Sequence, residues 1–302
     1  MFIQKQFLKE KRIIKMETIY NNLGFGGASL TSMKSYSAIT NLLNIAYQQG
    51  IRHYDTAVLY GKGYSELIFG QLLKNKRQTV TITTKYGLGQ PFETSAMPVQ
   101  VLLPLNYYIK RFKKALNYAT ESALEPPYKP VEYRLITKNL IEKSFNDSLK
   151  RLQTDYVDYY LLHEGLPFFL TDDAFSFLLD LKRKGCVRFI GLGCNVLDVI
   201  TLHPNELNDW DVLQYEGYSD RMTSDMMLKF PDKVHFHHSC LKKRNDLEFK
   251  DIDSTDKIGF ILAQAAKRNP KGKIIFSTRN PNYLIDNMSG FSKYYSEGDT
   301  SI

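Results

Sequence analysis

Apolar segments of two kinds alternate along the chain from about residue 23 onward. Some carry apolar residues at helical spacing, and the first such group consists of Ile39, Leu42, Leu43 and Ala46. Others, such as 79–85 and 156–162, are short runs rich in β-branched or aromatic residues, which favour strands. Because strands that alternate with helices are typical of βαβ units, the pattern predicts a parallel sheet covered by helices.

Eight segments in all have strand character. They are 23–25, 51–54, 79–85, 156–162, 187–191, 212–215, 234–238 and 274–277. Eight strands that are each followed by a helical segment predict an α/β protein with a single (β/α)8 barrel, the TIM-barrel fold. An open, doubly wound sheet is the alternative. In a barrel, functional side chains gather where the carboxyl ends of the strands meet.

The connection after the third strand is much longer than the others. Lys85 ends that strand and His163, which ends the fourth, follows 78 residues later, whereas a βα unit takes roughly 30 residues. We therefore expect an inserted lid over residues 88–135. Its apolar helical stripe consists of Leu105, Ile109, Phe112 and Leu116. The opposite face, which is either solvated or faces an anionic substrate group, carries Lys110, Arg111, Lys113 and Lys114.

The composition limits the classes of protein to which the chain can belong. With 43% hydrophobic residues, 302 residues can form a sizeable core. Charged or polar residues interrupt every apolar run well before the roughly 18 residues that a membrane span needs, so we expect no membrane partner. Three cysteines without a C-x-x-C pair suggest neither a disulfide framework nor a zinc knuckle. A reducing compartment, the cytoplasm, fits them best.

The net charge of +8 is unevenly distributed. Residues 1–15 carry five basic side chains and one acidic side chain, without the apolar core of a secretory signal. We interpret them as a flexible basic extension and residues 16–302 as one barrel domain. The modest remaining charge does not favour a nucleic-acid partner and suits an anionic cofactor or substrate. A monomer and a small homo-oligomer are both compatible with the sequence.

Four residues at or just after strand ends could together move a proton. Asp55 and Tyr60 follow the second strand, Lys85 ends the third, and His163 ends the fourth. A tyrosine is a weak acid at neutral pH, but an adjacent ammonium group favours the phenolate and lowers the pKa. Lys85 could supply that ammonium group, Asp55 could hold Lys85 in place, and His163 could orient a carbonyl oxygen.

The motifs around these residues resemble those of the aldo-keto reductases. The matching segments follow the family order between residues 23 and 287 and are Gly24-Phe25-Gly26-Gly27, Asp55-Thr56-Ala57, Tyr60-Gly61, Ser65-Glu66, Gly70, Thr84-Lys85, Leu162-His163, Ile190-Gly191, Asn195, Gln214 and 277–287. The resemblance implies a TIM barrel that binds NADP or NAD in extended form. It also implies that Asp55, Tyr60, Lys85 and His163 form the catalytic tetrad, with Tyr60 as general acid in reduction and general base in oxidation. The segments 60–66 and 190–195 are most similar to the branch that contains aldose 1-dehydrogenases and L-galactose dehydrogenases.

The resemblance also implies a set of cofactor-binding residues. They are Gly26, Gly27, Asn195, Gln214, His238, Ser239, Ser277, Thr278, Arg279 and Asn287. Glycines allow close backbone approach, amides suit a carboxamide, and hydroxyl groups before a helix suit phosphate. His238 stands where the family pattern has a tyrosine that stacks on the nicotinamide. Tyr283 stands where many members carry an arginine, so the sequence leaves the choice between NADP and NAD open.

The predicted activity is hydride transfer between nicotinamide and an aldehyde, ketone or sugar hemiacetal, which would place the protein in carbohydrate metabolism. Two alternatives stay open: a cofactor-binding regulatory subunit with little turnover, and an epimerase that oxidises its substrate transiently. His235 and His237 share one face of a strand, as metal ligands in some barrels do. No further set of ligand residues completes such a site, so we predict no metal.

Overall fold

The computed structural model describes residues 19–88, 98–117, 135–246, 252–253 and 256–296. Eight parallel strands form a closed barrel in chain order. They are β1 (Leu23–Gly26), β2 (His53–Asp55), β3 (Thr81–Tyr86), β4 (Val157–His163), β5 (Val187–Gly193), β6 (Val212–Glu216), β7 (Val234–His238) and β8 (Lys273–Phe276). The predicted (β/α)8 barrel is confirmed. The alternative of an open sheet is wrong, because β8 pairs with β1.

Strand boundaries differ from the predicted ones where a preceding turn takes the first residues. Ile51 is buried but lies before β2, because its amide donates to the Ala46 carbonyl at 3.0 Å and so closes the end of the preceding helix. Thr79 likewise belongs to a 3-10 turn (Lys74–Thr79) rather than to β3. Periodicity predicts the strands correctly, whereas local backbone hydrogen bonds decide where they begin.

Helices follow the strands on the outside of the barrel. Within the described residues they are α1 (Tyr36–Gln48), α2 (Tyr64–Leu73), α3 (Val99–Asn117), α4 (Lys138–Leu152), α5 (Asp172–Arg183), α6 (Val196–Val199), α7 (Asp220–Lys229), α8 (Lys257–Arg268) and α9 (Pro281–Ser296). Helix α1 begins where the Ser35 hydroxyl oxygen accepts a hydrogen bond from the Ala38 amide, and its predicted apolar face is buried.

The connection after β3 contains α3, but that helix does not bury the predicted stripe. Val99 and Leu103 are buried in the core, whereas Leu105, Ile109 and Phe112 are 46%, 42% and 68% exposed. These three side chains therefore do not pack on the barrel, because α3 contacts it through its first two turns. The side chain of Leu116, the fourth member of the stripe, lies outside the described residues. Residues 89–97 and 118–134 of the predicted lid lie outside the described residues, as do the extension 1–15 and the side chains of the four basic residues of α3.

The first and last strands of the barrel are linked by side chains near β1 as well as by the backbone ladder between β1 and β8. The Asn22 amide group donates to the Pro270 carbonyl at 2.8 Å, and the Asn22 carbonyl accepts from the Ile274 amide at 2.7 Å. Before β1, the Tyr20 hydroxyl donates to the Met288 carbonyl of α9 at 3.2 Å. Residues about 250 positions apart in the sequence are thus direct neighbours.

Helices α2 and α4 approach each other closely at Gly70. A Cβ atom added there would lie 2.2 Å from the Arg151 carbonyl oxygen and 2.7 Å from the Leu152 carbonyl carbon. Both contacts are with backbone atoms, so they could be relieved only if the two helices moved apart.

We therefore expect Gly70→Ala to destabilise the protein by about 1–3 kcal/mol. Helix propensity alone would make the same substitution stabilising by about 1 kcal/mol, so the sign of the change tests the close contact. Chemical denaturation measures it. Gln71→Ala, on the exposed side of α2, is the control and should change the unfolding free energy by less than about 0.5 kcal/mol. A stabilised Gly70→Ala variant would contradict the packing described.

Candidate active site

Three of the four predicted catalytic residues meet at the ammonium group of Lys85. Its Nζ atom donates to Asp55 Oδ1 and Oδ2 at 2.7 and 2.8 Å, to the Thr56 carbonyl at 3.0 Å and to Tyr60 Oη at 3.5 Å. Lys85 and Asp55 are both buried. Asp55 and Lys85 lie on the neighbouring strands β2 and β3, and this places the charge pair at the carboxyl-end opening.

The turn after β2 holds Tyr60 over this pair. Gly61, Lys62 and Gly63 all have positive φ, at 64°, 56° and 86°. A Cβ atom on Gly61 would lie 2.4 Å from the Thr31 side chain. Because the left-handed region favours glycine and the site has no room for a side chain, this turn explains the Tyr60-Gly61 pair of the sequence.

His163 contacts the ring of Tyr60 in an edge-to-face arrangement, with ring centroids 5.9 Å apart. Burial, with smaller contributions from the nearby Lys85 and His238, lowers the pKa of His163 to about 3. The imidazole is therefore neutral at physiological pH. A neutral ring carries one N–H donor and one acceptor, so it can donate a hydrogen bond to a carbonyl oxygen without being charged.

Burial and charge act in opposite directions on Tyr60. Burial raises its pKa above 10, and the Lys85 ammonium group lowers it, but burial is the larger effect and the net pKa is raised. Sequence reasoning anticipated the Lys85 effect and missed the burial. For Lys85 itself, burial is the largest single effect and disfavours the charged form, but Asp55 and Tyr60 together outweigh it and raise the pKa. Tyr60 is thus a protonated phenol beside a permanent cation.

The tetrad lines a cavity of about 560 Å³. Nine of the fourteen predicted site residues lie in its wall, and they are Asp55, Tyr60, Lys85, His163, Gly26, Gln214, His238, Ser239 and Ser277. They come from the carboxyl ends of seven strands or from the residues that follow them. The topology of the barrel therefore brings together residues that are up to 251 positions apart in the sequence.

Gln214 joins the tetrad to the rest of the cavity. Its Nε2 atom donates to Asp55 Oδ2 at 2.9 Å, while its buried Oε1 atom has no hydrogen-bond partner among the described residues. A Cβ atom added at Gly193, on the neighbouring strand β5, would lie 3.6 Å from that oxygen. A glycine there leaves the acceptor uncovered, so a bound molecule with an N–H or O–H group could satisfy it.

Two predicted cofactor residues have local structural partners instead. Gly27 lies against α2, where a Cβ atom would be 2.5 Å from both Phe69 and Ser65. Asn195 is exposed, and its Oδ1 atom accepts from the Leu197 amide at the start of α6. Neither residue is in the wall of the cavity.

Three more predicted cofactor residues follow β8 but lie outside the cavity wall. The Thr278 hydroxyl oxygen accepts from the Asn280 amide at 3.2 Å. Arg279 is exposed and donates to the Ser32 hydroxyl at 3.4 Å. Asn287 is buried on α9. Thr278 and Arg279 precede α9 and Asn287 lies in its second turn, so a cofactor would have to extend beyond the cavity to contact them.

Sequence reasoning missed three charged residues of the cavity wall. Glu164 directly follows His163, and Lys242 and Arg244 lie in the 3-10 turn Cys240–Asn245 after β7. Lys242 pairs with Glu216, whereas Arg244 is exposed and has no ion-pair partner among the described residues. Their adjacency to predicted site residues in the sequence was the available signal.

The two histidines that resembled metal ligands contact one tyrosine instead. His235 Nδ1 lies 2.8 Å and His237 Nε2 lies 3.1 Å from the hydroxyl oxygen of Tyr215. Across the residues that the structure describes, no three potential ligands are grouped as a metal site would require.

Within the described part of the chain, no helix combines the length and the apolar character needed to cross a bilayer.

Comparison with known proteins identifies the family. The model of the aldo/keto reductase family matches residues 22–214, which is more than half of the chain. The chain is 28% identical over 205 residues to the D-threo-aldose 1-dehydrogenase of a Pseudomonas species, with 65% of this chain and 56% of the relative covered. It is 23% identical over 220 residues to the uncharacterized oxidoreductase YqkF of Bacillus subtilis, with 73% and 60% covered.

Solved structures show the same fold. An aldo-keto reductase from Klebsiella pneumoniae in complex with NADPH superimposes with a TM-score of 0.58 at 15% identity, over 92% of this chain and 87% of that one. The chain spans about three-fifths of the length of the curated relatives it matches. The barrel, the strand-end residues and the family match agree, and the chain belongs to the aldo/keto reductase family.

Proposed function

We propose that the protein is an NAD(P)-dependent oxidoreductase that transfers hydride between nicotinamide and an aldehyde, ketone or sugar hemiacetal. The observation that carries the proposal is the Lys85 ammonium group, which contacts both the Asp55 carboxylate and the Tyr60 hydroxyl in the wall of a cavity. This arrangement is suited to proton transfer at a carbonyl oxygen. No side chain supplies hydride, so the reaction needs a redox cofactor.

The residues of the cavity fit a nicotinamide cofactor. The unpartnered Gln214 Oε1 atom can accept a hydrogen bond from a carboxamide. Arg244 offers a positive charge to phosphate. The volume of about 560 Å³ lies within the usual range for small-molecule sites. When bound, the cofactor supplies or accepts the hydride.

Side chains of the protein itself donate and accept the proton. In reduction, Tyr60 donates its hydroxyl proton to the carbonyl oxygen, and Lys85 stabilises the phenolate that is left. Asp55 holds Lys85 in position and balances its charge. Neutral His163, in contact with the Tyr60 ring, orients the carbonyl oxygen. In oxidation, the Tyr60 phenolate accepts the proton of the alcohol.

The pH dependence of reduction should be flat through neutrality. Reduction needs protonated Tyr60, whose pKa is raised above 10, and neutral His163, whose pKa is lowered to about 3. We expect kcat for reduction to be nearly constant between about pH 5 and pH 9 and to fall only at higher pH, whereas kcat for oxidation should rise with pH. Initial rates at saturating substrate test this. A break near pH 6.5 would mean that His163 titrates as an ordinary histidine and would contradict the assignment.

The decisive experiment combines binding with turnover. Calorimetric titration with NADPH and NADH measures affinity and cofactor preference, and a panel of aldoses, deoxysugars and simple aldehydes is then followed at the nicotinamide absorbance band. Absence of binding to either cofactor would overturn the proposal. Tight binding with very slow turnover would favour the regulatory-subunit alternative, and substrate conversion without net cofactor change would favour the epimerase.

The similarity to an aldose dehydrogenase makes aldoses the first substrates to test. The branch of the family, the cytoplasmic location and the oligomeric state stay predictions.

A further inference from the structure

Glu164 is a charged residue of the cavity wall that the proton chemistry does not use. It directly follows His163, is half-buried, and its amide donates to the Gly193 carbonyl at 2.7 Å. Within the described residues, no hydrogen bond or ion pair is made by its carboxylate group. Its oxygens are therefore available to accept a hydrogen bond from a molecule bound in the cavity.

The backbone at Glu164 is in a conformation that favours glycine. Its φ is +54°, and only Lys62, Gln153 and Ser239 share positive φ among the other described non-glycine residues. Gln153 ends α4, where a left-handed residue is common. Glu164 and Ser239 lie in the cavity wall, and Lys62 lies in the turn that follows Tyr60. Such strain at a site suggests that the side chain has a use there.

The acids that act on Glu164 come from two other parts of the barrel. Glu164 follows β4, and the acids that raise its pKa are Asp198, in α6, and Glu216, at the end of β6. Burial and these two acids raise the pKa of Glu164, and Lys85 opposes them. Arg244 lies after β7, in the same turn as Lys242, which pairs with Glu216. A substrate carboxylate placed against Glu164 would therefore meet negative charge that Lys85 opposes only in part, and an uncharged group is favoured there.

We propose that Glu164 determines substrate specificity, by accepting a hydrogen bond from a hydroxyl group of an uncharged, hydroxylated carbonyl substrate and by repelling substrates that carry a carboxylate. The inference rests on the proposed function, because it assumes that the substrate carbonyl reaches Tyr60. Glu164 lines the same cavity as His163 and Tyr60, so a substrate whose carbonyl lies at these two residues also faces the Glu164 carboxylate.

Three aldehydes of similar size separate the hydrogen bond to a substrate hydroxyl group from the repulsion of a substrate carboxylate. Glyceraldehyde carries hydroxyl groups, propanal carries none, and succinic semialdehyde carries a carboxylate. Glu164→Gln removes the charge and keeps an acceptor oxygen, whereas Glu164→Ala removes both. Asp198→Asn is the matched control, because it removes an acid of the same group that does not line the cavity.

We expect Glu164→Ala to lower the kcat/KM ratio of glyceraldehyde to propanal by roughly ten- to a hundredfold, which is the usual effect of a lost hydrogen bond to a charged group. Glu164→Gln should lower it less. Both variants should raise the ratio of succinic semialdehyde to propanal by about tenfold. Asp198→Asn should leave the ratio of glyceraldehyde to propanal within about twofold and should raise the ratio of succinic semialdehyde to propanal less than either Glu164 variant does.

The outcomes distinguish this inference from the proposed function. Suppose that the parent protein and both Glu164 variants all reduce propanal. If each of the two kcat/KM ratios then differs by less than about twofold between the parent and the variants, the role of Glu164 is refuted and the proposed function stands. If the parent protein reduces none of the three aldehydes and binds neither NADPH nor NADH, the proposed function fails and the inference falls with it.

Discussion

Tyr60→Phe is expected to lower kcat for carbonyl reduction by about 10²- to 10⁴-fold while cofactor affinity changes by less than about twofold. The substitution removes only the hydroxyl group that Lys85 contacts at 3.5 Å, and the ring that contacts His163 stays. Because the proton is transferred in the transition state, kcat and kcat/KM should fall together. Steady-state kinetics with calorimetric titration of the cofactor measures both effects.

Tyr47→Phe provides the matched control. Its hydroxyl group contacts Thr79 on the surface at 3.0 Å, near the carboxyl end of α1 and therefore at the opposite end of the barrel. Removal of this hydroxyl should leave kcat unchanged. A Tyr60→Phe variant with kcat within threefold of the parent would show that another group donates the proton.

Glu66→Leu is expected to cost about 3–5 kcal/mol of stability, because it removes one partner of a buried ion pair. Glu66 is completely buried, and its Oε2 atom accepts from Arg151 Nε at 2.6 Å while Oε1 accepts from the Thr84 hydroxyl at 2.5 Å. The substitution leaves the buried guanidinium group of Arg151 without its carboxylate. The melting temperature should fall by roughly 6–15 °C, which differential scanning calorimetry measures.

Two further variants show whether the loss of the ion pair causes the lower stability of Glu66→Leu. Glu66→Leu combined with Arg151→Leu should be more stable than Glu66→Leu alone, because no uncompensated charge is left inside. Asp147→Asn removes the exposed pair with Lys143 on α4 and should change stability by less than about 1 kcal/mol. Equal losses for Glu66→Leu and Asp147→Asn would contradict the explanation.

The barrel and the grouping of the four candidate catalytic residues could be predicted from the sequence for the same reason. Each strand is a short apolar segment between turn or helix signals, and parallel topology then places the residues at the strand ends around one opening. Asp55, Lys85 and His163 needed no further information to be placed together. Tyr60 needed only the adjacent Gly61, which indicates the turn that carries it.

What the sequence could not predict depends on contacts between distant segments. An apolar stripe does not say what it packs against, and in α3 the stripe through Ile109 and Phe112 is exposed, because the helix contacts the barrel earlier, at Val99 and Leu103. In the sequence, an amide side chain at a strand end that faces a cavity cannot be distinguished from one that caps the helix that follows. Gln214 lies in the cavity wall, whereas Asn195 caps α6.

The junction between β1 and β8 also bears on the order in which the protein can fold during synthesis. Asn22 leaves the ribosome well before its partners at Pro270 and Ile274, which are made about 250 residues later. Until then β1 has one unpaired edge, a surface on which chains can associate wrongly. A nascent chain can form its first βα units early, yet its last strand completes the ring. Slow elongation before that point would prolong the time for which the open edge depends on chaperones for protection.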